Sequence, residues 1–138
     1  AVLYGWFGQT VNVSDGRTTY FRAPATEENR PLYRHFLSPG TFSMRDVASK
    51  AFFDEAELGS FLPYTDYPVI RAVVHKERSP DWQDTQLYDI EADPEQVQNL
   101  AGADEAARYE ALLVETMQKM DAPPSQYERL GLEPPDEA

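Results

Sequence analysis

Short runs of alternating apolar and polar residues fill the first third of the chain, a pattern typical of β-strands. In VNVSDGRTTYFRAP, Asp15 and Gly16 suit a two-residue hairpin loop, because such loops need backbone with positive φ. That loop sets Val13 opposite Thr18 and predicts one core-facing side made of Val11, Val13 and Tyr20. The opposite side would carry Thr10, Asn12, Thr19 and Phe21.

Further strands are predicted on both sides of this hairpin. Each is a short run rich in β-branched or aromatic residues and bounded by Pro, Gly or charged residues. These strands are expected over residues 2–7, 32–37, 69–75 and 85–90.

Helical spacing dominates the last third of the chain. From Asp104 to Met120, apolar residues recur every three or four positions on one face, and Glu115 and Lys119 form an i,i+4 pair. The apolar face comprises Ala106, Tyr109, Leu113, Met117 and Met120. Further helices are expected over 43–58, from Asp93 as N-cap, and as a short turn in SQYERLGL after Pro123-Pro124.

An amphipathic helix that follows an antiparallel sheet buries its apolar stripe on that sheet. The pattern therefore predicts an α+β fold: a small antiparallel sheet of about four strands with a long C-terminal helix packed on one face. With 138 residues the chain has the length of one domain. We expect the domain to span 1–132 and a mobile tail to cover 133–138.

The charge balance excludes some classes of partner. The net charge is −12, and it lies entirely in residues 81–138, which carry three basic and fifteen acidic residues. A protein that binds a phosphate backbone needs the opposite sign, so we expect no nucleic-acid partner. No apolar run is long enough to cross a bilayer, so we expect no membrane partner. The composition leaves cytoplasm and periplasm both open.

Residues for catalysis and metal binding are scarce. The chain has no Cys and two His, His35 and His75, without the spacing of a zinc site. No G-x-S-x-G, phosphate-binding glycine loop or calcium loop is present. The acidic runs at 54–57 and 91–95 are more typical of surface and capping positions than of a cation site. We therefore expect no catalytic residue and no metal ligand in this chain.

Two stretches carry a resemblance to a known family. GWFGQTVNVSDGRTTYFRAP (5–24) resembles the segment with which many bacterial sulfatases enter their C-terminal subdomain. LYDIEADPEQVQNLAG (87–102) is similar to the LYDL-x-x-DP-x-E-x-x-NL stretch near the C-terminal end of the same enzymes. The ending DAPPSQYERLGL fits their terminal helix, and order and spacing agree over essentially the whole chain. Sulfatases belong to the alkaline phosphatase-like superfamily.

The resemblance implies a small antiparallel sheet with a long helix, in a hydrolase of sulfuric esters. In that family the nucleophile lies in a C/S-x-P-S-R motif, whose Cys or Ser becomes formylglycine, and this chain lacks the motif. The divalent metal, usually calcium, belongs to the N-terminal catalytic domain. That domain of the same parent protein is therefore the expected partner. Many relatives have a basic residue or His before V-N-V, where this chain has Thr10.

Two functions follow as hypotheses. In the first, the chain is a non-catalytic piece of a sulfatase-type hydrolase, and its GWFGQT segment is a candidate wall of the substrate cleft. The second is a free-standing acidic interaction or ligand-binding domain. A severed domain should expose Tyr4, Trp6 and Phe7, and dimerisation through that side is then open, whereas a self-sufficient module should cover these rings. The candidate cleft residues are Trp6, Gln9, Thr10, Arg17, Arg22 and His75.

Overall fold

A computed structural model describes residues 1–37, 54–74 and 84–134. These residues form seven strands and two helices, so the α+β class is confirmed. The strands are β1 (Val2–Gly5), β2 (Val11–Ser14), β3 (Thr18–Arg22), β4 (Tyr33–Phe36), β5 (Glu57–Gly59), β6 (Val69–Val73) and β7 (Gln86–Asp89). The helices are α1 (Ala106–Lys119) and α2 (Pro124–Leu130).

The strands divide into two antiparallel sheets. One has four strands in the order β1-β2-β3-β7, and the other has three in the order β4-β6-β5. The sequence predicted a sheet of about four strands and the positions of β1, β2, β3, β4, β6 and β7. Beyond the hairpin it did not predict which strands pair, or that β4 and β6 lie in a second sheet. Helix α1 lies across β1, β2 and β3, as its apolar stripe predicted.

The main core fills the space between the four-stranded sheet and the two helices. Its sheet side comes from β2, β3 and β7, and its helical side comes from α1, α2 and the residues just after α2. The buried members are Val13, Tyr20, Leu87, Tyr109, Leu113, Met117, Tyr127, Leu130 and Leu132. The predicted face of α1 is confirmed from Ala106 to Met117, while Met120 lies beyond the helix and is 63% exposed.

The hairpin has its predicted core face but a different register. Val13 lies opposite Tyr20 rather than Thr18, and the N–H of Asp15 donates to the carbonyl of Thr18. The loop is therefore Gly16-Arg17, with Gly16 at φ 101°, as in turns that place glycine first. The prediction of Asp15-Gly16 was wrong because the Asp15 carboxylate accepts the N–H groups of Arg17 and Thr18, which places Asp15 before the turn.

Two helix predictions need correction. No helix follows Asp93: Gln96 has φ 54°, which breaks a right-handed helix, and the Asp93 carboxylate accepts the N–H of Gln98 across a turn. The other helix was predicted over 43–58, and residues 43–53 of it lie outside the described part of the chain. Residues 54 and 55 are helical, but strand β5 begins at Glu57, so the helix does not reach residue 58.

The segment after β7 folds back along the outer edge of that strand. The side-chain oxygen of Asn99 accepts the N–H of Leu87 at 3.0 Å, and its amide donates to the carbonyl of Thr85 at 3.3 Å. The N–H of Leu100 donates to the carbonyl of Leu87 at 2.8 Å. These bonds satisfy backbone groups of an edge strand and fix the position of the NLAG stretch.

Candidate functional site

The GWFGQT loop (residues 5–10) joins β1 to β2 and lies at one end of the four-stranded sheet. The N–H of Gln9 donates to the carbonyl of Trp6 at 3.0 Å, which closes the loop into a tight turn. Gly5 makes the turn possible, since a Cβ at this position would lie 2.8 Å from the carbonyl oxygen of Thr10. The loop is thus a fixed protrusion whose shape depends on one close backbone approach.

The aromatic side chains of this loop are exposed. Trp6 is 85% exposed, Phe7 48% and the neighbouring Tyr4 42%. The guanidinium of Arg34 lies 5.0 Å from the centre of the Phe7 ring, a cation–π distance. The three rings therefore form an exposed aromatic surface at this end of the sheet.

A cavity of about 610 Å³, the front cavity, opens beside the loop on the sheet face away from α1. Aromatic rings form much of its wall, and neutral polar side chains form the rest. It is lined by Tyr4, Gly5, Trp6, Phe7, Gln9, Thr10, Asn12 and Phe21. Tyr4, Asn12 and Phe21 are cross-strand neighbours in one row, which is why the strand register brings them together.

Asn12 is the unusual member of the front cavity. The residue is 5% exposed, and its side-chain oxygen is buried with no hydrogen-bond partner among residues 1–37, 54–74 and 84–134. Leaving such an acceptor unpaired costs about 1–3 kcal/mol, so a ligand that donates a hydrogen bond there would recover that energy. Around it the rings are ordered: Tyr4 and Phe21 meet edge to face at 6.2 Å, and the Tyr4 hydroxyl is hydrogen-bonded to that of Thr19.

A buried arginine braces the loop from below. Nη1 of Arg129, on α2, donates to the carbonyl of Gln9 at 3.0 Å and to the side-chain oxygen of Asn29 at 2.8 Å. The amide of Asn29 donates in turn to the carbonyl of Gly8 at 2.6 Å. Arg129 is 2% exposed. The loop is therefore held by a residue 120 positions along the chain.

The structure brings together three of the six candidate residues, Trp6, Gln9 and Thr10, all at the front cavity. Arg17 and Arg22 do not line it. Arg17, in the hairpin loop, pairs with Asp89 at 2.9 Å, and this contact raises the pKa of Arg17 and lowers that of Asp89.

Arg22 connects β3 to the helices. It pairs with Glu110 of α1 at 2.5 Å and donates through Nε to the carbonyl of Leu130.

His75 lies outside the described residues. His35 is on β4, where burial, assisted by Arg71, lowers its pKa.

Sequence reasoning missed Asn12 and Arg129 as parts of the site. Asn12 was assigned to the correct face, but nothing in the sequence indicated that its amide oxygen would be left unpaired. Arg129 lies two positions after buried Tyr127, so helical periodicity directs it to solvent. The structure buries it because α2 lies between the core and the loop.

Within the described ranges, no three metal-ligating side chains come close enough to hold a cation. Over the same ranges, neither helix is long and apolar enough to cross a membrane. Comparison with protein families, with curated proteins and with solved structures finds no match to this chain.

Proposed function

We propose that this chain is the C-terminal, non-catalytic part of a sulfatase-type hydrolase. In this role it packs against the catalytic domain through the GWFGQT loop, and the front cavity becomes one wall of the substrate cleft. The parent would hydrolyse sulfuric esters, with its nucleophile and its calcium ion in the catalytic domain. The resemblance of residues 5–24 and 87–102 to the C-terminal region of bacterial sulfatases supports this proposal.

The observation that carries the proposal is the exposed aromatic surface of the loop. An indole that is 85% exposed beside two partly exposed rings is costly in water and is typical of a surface that a partner covers. The loop is also braced at two carbonyls, through Arg129 and Asn29. A rigid loop loses little conformational entropy on docking, which favours a permanent domain interface.

The experiment begins with the coding sequence upstream of Ala1, which should contain a C/S-x-P-S-R motif several hundred residues earlier. The upstream polypeptide and this chain are then expressed as separate proteins and mixed. We expect a one-to-one complex by size-exclusion chromatography. This chain alone, incubated with an aryl sulfate and calcium, should give no turnover above buffer.

Either of two results would overturn the proposal. Hydrolysis by the purified chain would show that it carries its own reactive groups. An upstream region without the motif, or an upstream catalytic domain that does not associate with this chain, would remove the expected partner.

A second candidate function is a free-standing ligand-binding domain, and the unpaired oxygen of Asn12 favours it. The front cavity has aromatic walls and neutral polar groups, so its ligand would be uncharged, with an apolar face and a hydrogen-bond donor. A ligand of that kind that binds the isolated chain and protects it from heat, without any partner protein, would favour this alternative. Asn12→Leu removes the acceptor and should then weaken binding of such a ligand.

A further inference from the structure

Arg129 combines deep burial with incomplete hydrogen bonding. Its Nε donates to the side-chain oxygen of Gln126 at 3.1 Å, and Nη1 donates to Gln9 and Asn29. Three of the five guanidinium N–H groups are thereby used. In the part of the chain that the structure describes, both N–H groups of Nη2 are left without an acceptor.

The charge of Arg129 also has no counter-ion in these described segments. All three of its acceptors are neutral oxygens, one backbone carbonyl and two side-chain amides. Burial alone lowers the pKa of Arg129 to about 10, with no contribution from a carboxylate. A buried cation without an opposite charge is unfavourable, and a partner that supplied the charge would remove that cost.

A second cavity leads to this guanidinium. We call it the Arg129 recess; it has a volume of about 350 Å³ and lies beneath the GWFGQT loop, on the core side of β1 and β2. Apolar side chains, among them Leu3, Val11 and Leu32, form most of its lining together with Trp6. Arg129 is the one charged residue among the described residues that line it.

We propose that the Arg129 recess receives the carboxylate of an Asp or Glu side chain from the domain that docks on the GWFGQT loop. The inference rests on the proposed function and adds the chemistry of the contact. The carboxylate accepts the N–H groups of Nη2 while its aliphatic stem lies against the apolar lining. The aromatic rings above the recess then become the rim of the same interface.

The lining distinguishes a side-chain carboxylate from a free oxyanion. One buried guanidinium neutralises one negative charge, and the apolar walls fit a carbon stem. Sulfate or phosphate would bring a second charge into an apolar recess with no cation to balance it, which is unfavourable. The protein has a net charge of −12, so a local cation such as Arg129 is needed to attract an acidic partner residue.

The first test uses the isolated full chain, labelled with ¹⁵N, and follows the guanidinium resonances of Arg129. The probe is the N-acetyl, N-methylamide derivative of aspartate, with sodium chloride at matched ionic strength as the control. We expect saturable shifts of the Arg129 Nε and Nη signals, and weaker or no shifts with sulfate. Absence of saturable shifts up to about 100 mM probe overturns the proposal, since that concentration detects a binding free energy as weak as about −1.4 kcal/mol. Preferential binding of sulfate also overturns it.

The second test measures association of the chain with the upstream catalytic domain. Arg129→Gln removes the charge and should weaken binding by about 30-fold or more, and Arg129→Lys should restore part of the loss. Arg108→Gln, on the exposed side of α1, is the matched control and should bind as the parent chain does. If the domains associate and Arg129→Gln binds normally, the carboxylate contact is wrong while docking stands.

The proposed docking can also fail while the proposed carboxylate contact of Arg129 stands. If the domains do not associate at all, the proposed function fails, and the titration of the isolated chain still decides whether Arg129 takes a carboxylate. Should Arg129→Gln not fold, as judged by circular dichroism, the titration of the unmodified chain and the Arg129→Lys comparison give the answer.

Discussion

Replacement of Trp6 by alanine should weaken docking strongly while it leaves the stability of the fold almost unchanged. A tryptophan side chain offers up to about 250 Å² of surface, so the 85% exposure of Trp6 leaves about 200 Å² for a partner to cover. At about 25 cal/mol per Å², that area corresponds to a ceiling of about 5 kcal/mol. Immobilisation and imperfect desolvation reduce the expected loss of binding free energy to about 2–3 kcal/mol.

The cost of Trp6→Ala to folding should be much smaller. The part of the indole that the chain itself covers is about 40 Å², which corresponds to about 1 kcal/mol at most. We therefore expect the free energy of unfolding of the isolated chain to fall by less than that amount. Equilibrium urea unfolding, followed by circular dichroism, measures this value, and calorimetric titration with the proposed catalytic domain measures the loss of binding.

The matched control is Tyr67→Ala, because Tyr67 is 75% exposed and does not line either cavity. It should leave both stability and association unchanged. Equal weakening of association by the two substitutions would refute the assignment of the interface to the GWFGQT loop. A loss of more than about 2 kcal/mol of folding stability in Trp6→Ala would refute the argument from exposure.

Three further changes test the fold and the hairpin. Leu113→Ala removes a side chain that is 0% exposed, and it should lower the free energy of unfolding in urea by about 3–4 kcal/mol; a cost below 1 kcal/mol would mean that α1 is not part of the core. The backbone N–H of Thr18 holds the pKa of Asp15 below its ordinary value of 3.8, so this carboxylate stabilises the fold above that pH, and the contribution disappears as the pH falls further. Asp15→Asn should therefore make the dependence of thermal stability on pH less steep below about pH 4 and leave its slope unchanged above about pH 5. Gly131→Ala places a Cβ 3.0 Å from that of Ala25 at a φ of 62°, so the melting temperature should fall, by an amount equivalent to about 1–2 kcal/mol.

Sequence patterns predicted the faces of the elements better than their registers. The hairpin loop was misplaced, yet Val13 and Tyr20 still point to the core, because the error shifted the pairing by two residues and two is the period of a strand. The apolar stripe of α1 was predicted through Met117, since packing on a sheet selects that periodicity. The end of the stripe was not predicted correctly, because Asp121 takes a positive φ of 51° just after Met120 and directs the chain away from the sheet.

The site was predictable where it consists of exposed rings in one loop and unpredictable where it depends on distant contacts. Trp6 and Gln9 are neighbours along the chain, so the sequence alone brings them together. Asn12 and Arg129 acquire their roles from tertiary structure: one from the row of cross-strand neighbours, the other from a contact between α2 and the loop. Helical periodicity would assign Arg129 to solvent, which is why no sequence pattern pointed to it.

The fold-back of Asn99 and Leu100 along β7 has a consequence for self-assembly. An edge strand with open N–H and C=O groups is a template on which an extended peptide or a second copy can add. At the edge of β7 these groups already bond to the chain's own NLAG stretch, so an added strand would first have to displace that stretch. Strand addition across this flank of the four-stranded sheet is therefore blocked, and β1 is the other edge of that sheet.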